Sequence, residues 1–119
     1  MNRVGVDLIG SKRIGRVLER YGARFVERVY TPLERDYCRG RVTCLAARWA
    51  AKEAVVKALG CGFGTVGWSD VEVLNDECGA PFLCLHGEAL ARASALGLKE
   101  WAISLSHTQD YAIAFVVAS

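Results

Sequence analysis

Hydrophobic positions recur along this chain with two different periods, and the switches between them mark out its elements. Residues 3–9, Arg-Val-Gly-Val-Asp-Leu-Ile, predict a short buried strand that ends at the polar Gly10-Ser11. Ile14, Leu18, Tyr21 and Phe25 then recur at helical spacing, with Arg13, Arg16, Arg20 and Arg24 on another stripe of the same helix. Gly15 and Gly22 weaken that helix and could split it. Thr31-Pro32-Leu33-Glu34 carries the marks of a helix start: a threonine N-cap, proline at the first helical position and glutamate at the third. A short helix to about Cys38 follows.

The strongest helical run is Thr43 to about Leu59, with alanine at 46, 47, 50, 51, 54 and 58 and a stop at Gly60. Gly60 to Gly64 reads as a flexible loop, and Val71 to Leu74 alternates like a half-buried strand before the turn Asn75 to Pro81. Phe82 to Leu85 is a further strand, and Gly87 to Leu96 a helix closed by Gly97. Trp101 to Leu105 and Tyr111 to Ala118 are strands around a polar turn, Ser106 to Asp110. This order predicts one α+β domain over residues 1–119, with a mainly antiparallel sheet packed against a long central helix.

Composition narrows the picture. A chain of 119 residues that is 52% hydrophobic suits one small domain with a modest core, so self-association would be no surprise. No run approaches the roughly 20 apolar residues of a membrane span, and the first residues pass directly into strand, which predicts a cytoplasmic protein without a signal peptide. Cys38, Cys44, Cys61, Cys78 and Cys84 show no paired zinc-ligand spacing, so they are expected to be reduced structural thiols. The net charge of +2 hides an asymmetry: residues 12–28 hold six basic residues against Glu19 and Glu27, a local balance of +4. Such a field suits an acidic partner.

Two features could carry chemistry. Glu53 and Lys57 lie one turn apart on the central helix, flanked by Trp49 and Val56, with Ala46 and Ala50 as small neighbours. That spacing fits an ordinary surface ion pair as well as a site. Asp7 sits inside an apolar strand, where a carboxylate needs a turn to cap, a partner or a cation. Asp7 and Glu53 together offer the oxygen ligands that magnesium favours.

Val4-Gly5-Val6-Asp7-Leu8-Ile9 with Lys12-Arg13-Ile14, then Arg24-Phe25 and Thr31-x-x-Glu34, the run from Leu45 to Gly60 around Trp49-Ala50-Ala51-Lys52-Glu53-Ala54-Val55-Val56-Lys57, and Ser104-Leu105-Ser106-His107-Thr108 closely resemble one family. It is the small, trimeric, holo-acyl-carrier-protein synthase type of 4'-phosphopantetheinyl transferase, and the match runs in register along nearly the whole chain. The resemblance implies transfer of 4'-phosphopantetheine from coenzyme A, the co-substrate, to a serine of an acidic apo acyl carrier protein, a step of fatty-acid and lipid metabolism. It implies magnesium on Asp7 and Glu53, and Lys57 beside the phosphates as a cation or a proton donor. His107 and Thr108 would contact the nucleotide, helped by Arg48, Lys52, Gly60, Gly62 and Gly64. Arg13, Arg16, Arg20 and Arg24 would dock the carrier, and active sites would form between subunits of a homotrimer, the metal ligands on one and the basic helix on the next. The serine's proton acceptor stays open among Glu34, Asp36, Glu53 and a water on the metal.

The chain departs from the family pattern at Ala47, at Trp49 and by an extra residue between Arg13 and Phe25, the last bearing on which carrier docks. A catalytically silent module that binds carrier protein or coenzyme A is the alternative. A nucleic-acid-binding domain fits less well, because the arginine stripe lacks interleaved aromatics.

Overall fold

In the computed structural model, which describes Met1–Ser119, five helices and five strands follow the predicted order. Strand β1 (Arg3–Gly10) leads into α1 (Ser11–Tyr21), α2 (Ala23–Val29), α3 (Pro32–Cys38) and the long α4 (Val42–Leu59). A 3-10 turn, Trp68–Asp70, precedes β2 (Val71–Asn75) and β3 (Pro81–Leu85); α5 (Gly87–Ala95), β4 (Trp101–His107) and β5 (Tyr111–Ala118) complete the chain. The strands form two antiparallel sheets, a three-stranded one in the order β1-β5-β4 and the β2-β3 ribbon. No helix is long and apolar enough to cross a membrane.

Helix α4 lies over the inner face of the larger sheet and is buried nearly all round, with alanine, valine and leucine filling most of its positions. Its alanines at 46, 50, 51, 54 and 58 meet Ala112, Ala114, Val116 and Ala118 of β5, all buried. Small side chains on both elements bring helix and sheet close together. The approach is tightest at Gly5, where a Cβ would stand 1.8 Å from the carbonyl oxygen of Ala54. Only glycine fits there.

Strand β1 is buried on one face only. Gly5, Asp7 and Ile9 lie opposite Val116, Ala114 and Ala112 and face α4. Val4, Val6 and Leu8 point outward with Ile113 and Phe115 of β5, all exposed. A buried run was expected at this strand; the outer half is instead an exposed apolar patch, because nothing in the chain covers that side of the sheet.

The basic helix breaks at Gly22, whose φ of 54° lies in the left-handed region. Arg13, Arg16 and Arg20 therefore sit on α1 and Arg24 on α2, not on one continuous stripe. The start of α3 is the capping box read from the sequence: Thr31 Oγ1 accepts from Glu34 N at 3.3 Å and Glu34 Oε1 from Thr31 N at 3.0 Å. The thiol expectation fails at one pair, since Cys38 and Cys44 form a disulfide. Arg39 and Gly40, both at positive φ, reverse the chain between α3 and α4 and bring the two Cα atoms to 5.4 Å. Cys61, Cys78 and Cys84 are free.

Candidate active site

Because α4 turns by about 100° per residue, Glu53 and Lys57 leave it roughly opposite Arg48 and Lys52. The helix thus presents two charged faces, and the structure gives them opposite treatment.

On the first face, Asp7 comes from the inner side of β1, held close by the Gly5 contact. Lys57 Nζ donates to Asp7 Oδ1 and to the Val6 carbonyl, both at 3.0 Å. The Lys57 side chain is 53% exposed and that of Asp7 16%, so the pair stands open to a ligand. Burial, and after it the negative charge of Asp7, push the carboxyl of Glu53 above its ordinary pKa, with Lys57 and Arg13 pulling the other way. Two carboxylates close enough to repel, offering only oxygen donors, fit a hard divalent cation such as magnesium. Arg13 acts on Glu53 of its own chain, so the first arginine of the stripe belongs to this cluster as well as to the basic surface. It lines a surface cavity with Gly10, Lys12, Arg16, Asp110 and Tyr111.

The second face is closed. Lys52 and Glu34 are fully buried and paired at 2.8 Å. Lys52 Nζ also donates to the carbonyls of Val71 and of Trp68, so its three protons are all taken inside the fold. Glu34 Oε2 in turn accepts the Val73 amide at 3.0 Å. Burial pulls the Lys52 pKa down and Glu34 opposes that pull. Lys52, expected at the nucleotide, is instead a bolt between α4, α3 and β2, and Glu34, fully buried and holding Thr31, Lys52 and Val73, is out of a substrate's reach as a base. Asp36, another candidate, lies on the exposed side of α3 beside a cavity with Tyr37, Arg39 and Arg41, away from Asp7.

Arg48 is buried, stacked 4.4 Å from the ring centre of Tyr37, and donates to Asn75 Oδ1 and to Cys44 Sγ. Burial, opposed by Glu34, lowers its pKa, and its Nε–H finds no acceptor in the chain. It lines a cleft of about 290 Å³ that His107 also lines. His107 is not in a turn, as expected, but ends β4, paired with Ala112, because the ladder to β5 runs two residues past Leu105. Thr108 begins the turn, and its Oγ1 accepts from the amides of Asp110 and Tyr111.

Gly60 caps α4 one turn after Lys57, and Gly62 and Gly64 face open space in the loop beyond. In that loop Phe63 stacks on Trp68, which stacks on Trp49, which meets Phe25 at 5.9 Å. This aromatic file escaped the sequence reading, since its members come from four separate segments. Trp49, Trp68 and Phe25 line an apolar cavity of about 440 Å³ rimmed by Arg24 and Arg28. Within one chain, then, Asp7, Glu53 and Lys57 meet, whereas Arg48 and His107 lie across α4 from them.

Comparison with known proteins places this geometry. Residues 3–116 match the 4'-phosphopantetheinyl transferase superfamily. The chain is 51% identical to holo-[acyl-carrier-protein] synthase of Herpetosiphon aurantiacus over 95% of its length and 94% of that protein's. It is 46% identical to the synthase of Gloeobacter violaceus, over 98% and 91%. Among solved structures, the Helicobacter pylori holo-[acyl-carrier-protein] synthase in complex with coenzyme A superposes with a TM-score of 0.89 at 28% identity, covering 98% of this chain and 99% of that one. The Chronobacterium ammoniagenes complex with coenzyme A does so with a TM-score of 0.89 at 36% identity, over 100% and 97%. With sequence and fold agreeing over essentially its full length, the chain belongs to the 4'-phosphopantetheinyl transferase superfamily.

Proposed function

We propose that this protein is a holo-acyl-carrier-protein synthase, moving 4'-phosphopantetheine from coenzyme A to a serine hydroxyl of an apo acyl carrier protein and releasing 3',5'-ADP. The observation that carries the reading is the cluster of Asp7, Glu53 and Lys57, two mutually repelling carboxylates and an open lysine on one face of α4. Magnesium held by Asp7 and Glu53 would supply positive charge to the pyrophosphate as the P–O bond within it breaks and 3',5'-ADP leaves. The chain's own part is to place charge and manage a proton. Lys57 Nζ, fixed by Val6 and Asp7, stands ready to neutralise the departing phosphate. Among the side chains considered as proton acceptor, Glu53 alone adjoins the cluster. The nucleophile is the carrier's serine, so none of this chain's cysteines need react.

Arg48, with Arg41 and His107 in the same cleft, offers N–H donors suited to phosphate on the other side of α4. The separation of the two groups and the apolar outer patch of Val4, Val6, Leu8, Ile113 and Phe115 support a homotrimer in which one subunit's cleft completes its neighbour's site. Arg16, Arg20 and Arg24 border the surface on which an acidic carrier would dock.

The test is to incubate the protein with coenzyme A, magnesium and an apo carrier and weigh the carrier by mass spectrometry. A gain of one phosphopantetheine is expected, lost when magnesium is chelated; no gain with any of several carriers would end the reading. Light scattering should give about three times the 13.0 kDa chain mass, and a monomer would refute the shared site.

A further inference from the structure

A second group of metal-ligating side chains lies on the β2–β3 ribbon, and the transfer reaction makes no use of it. Glu72 and Cys84 are directly opposed across the antiparallel pair, so both side chains leave the same face. His86 follows Cys84 by two residues, and strand alternation keeps it on that face. Its backbone N–H donates to the Asp70 carbonyl at 2.8 Å, which fixes the chain just beyond β3. One carboxylate oxygen, the Cys84 Sγ and a ring nitrogen of His86 lie within 4.8 Å of one another. His86 Nε2 already stands 3.0 Å from Glu72 Oε1.

The support behind the cluster is also built. The other carboxylate oxygen, Glu72 Oε2, accepts from the Thr31 hydroxyl, and Thr31 is itself held in the capping box of α3. A ligand oriented by an outer hydrogen bond is the usual arrangement at metal centres. Glu72 is nearly buried, its side chain 8% exposed, whereas His86 is 49% exposed, so the cluster has a fixed floor and an open side. Donor atoms around a tetrahedral zinc ion lie about 3.5 Å apart, a spacing comparable to that of these three atoms.

We propose that Glu72, Cys84 and His86 form a binding site for a borderline divalent cation, Zn2+ foremost, with a fourth position open to water. Thiolate and imidazole donors select such an ion over magnesium, which the all-oxygen pair Asp7 and Glu53 suits instead. Binding releases the Cys84 proton to solvent and ties β2, β3 and the start of α3 together. The proposal is independent of the transfer reaction.

Protein stripped with EDTA and dialysed is titrated with Co2+, a spectroscopic stand-in for zinc. One Co2+ per chain is expected, with a near-ultraviolet thiolate-to-cobalt band and the visible bands of tetrahedral coordination, displaced by Zn2+ and not by Mg2+. Cys84→Ser should abolish the near-ultraviolet band, and His86→Ala should weaken Co2+ binding by at least about tenfold. Cys61→Ser and Cys78→Ser should change neither. Zn2+ at about a hundredfold excess over its Kd should raise the Tm of the unaltered protein by roughly 5–10 °C and leave Cys84→Ser unmoved. No thiolate band, a band that survives Cys84→Ser, or an equal Zn2+ shift in that variant would overturn the site.

Discussion

Lys52 and Glu53 are neighbours in sequence and opposites in circumstance. Lys52 points into the fold, where Glu34, Trp68 and Val71 take its three protons. Glu53 is part-buried near Asp7, a like charge, and its proton affinity rises, by burial first and by that charge second. A charge whose every valence is met is inert and holds structure; one left in a repulsive setting has free energy to gain from a cation or a proton. A single helical step of about 100° separates a structural bolt from a reactive group.

Breaking the closed side should have the largest effect. Lys52→Ala leaves Glu34 buried without its partner, which costs about 3–5 kcal/mol, read as a lower midpoint in urea unfolding. If Lys52 served the nucleotide instead, the variant would fold normally and lose only coenzyme A affinity.

The open side should show the reverse pattern. Glu53→Gln should lower kcat by at least about a hundredfold, about 2.7 kcal/mol, in the carrier mass assay, with no loss of Tm. Joint loss of activity and stability would erase the contrast between the two faces. Replacing Arg16 and Arg20 together by Glu should raise the carrier KM about tenfold and flatten its salt dependence, with little change in Tm. An unchanged KM would remove these arginines from docking.

The smallest effect is one of pH. A carboxyl whose pKa is raised by folding makes the folded state bind its proton more tightly, so Glu53 favours folding at low pH. That contribution is lost as pH rises from the ordinary glutamate range through the raised value. Glu53→Gln should therefore melt higher than the unaltered protein at neutral pH, by on the order of 2 °C, the gap closing toward pH 4. An equal gap at every pH would mean that folding leaves this carboxyl unperturbed.

What could be read from the sequence was what local chemistry decides. The capping box at Thr31, the extent of α4 and the strands of both hairpins depend on residues a few positions apart, and they stand close to the reading, β4 running two residues further to His107. Asp7 was legible as an anomaly, whereas Glu53 read as half of a helix pair until the family pattern singled it out. Lys52 was misplaced because helical spacing gives the angle between side chains, not which angle faces the core; Glu34 and Val71 decide that from distant segments. The Cys38–Cys44 bond depends on a left-handed reversal at Arg39, an arginine that no turn rule singles out. The outward face of β1 escaped because an apolar run reads as buried on both sides when one side is in fact left bare.

Strand β1 carries two messages in one stretch of chain. Its odd positions, Gly5, Asp7 and Ile9, are committed to α4 and the reactive cluster, while Val4, Val6 and Leu8 shape the outer surface. Substitution can therefore revise one message without touching the other. Gain or loss of one residue between Arg3 and Gly10 would scramble both at once, carrying an aliphatic side chain to Lys57 and a carboxylate to the outside. Such a strand is free to drift in spelling at Val4, Val6 and Leu8, but not in its length.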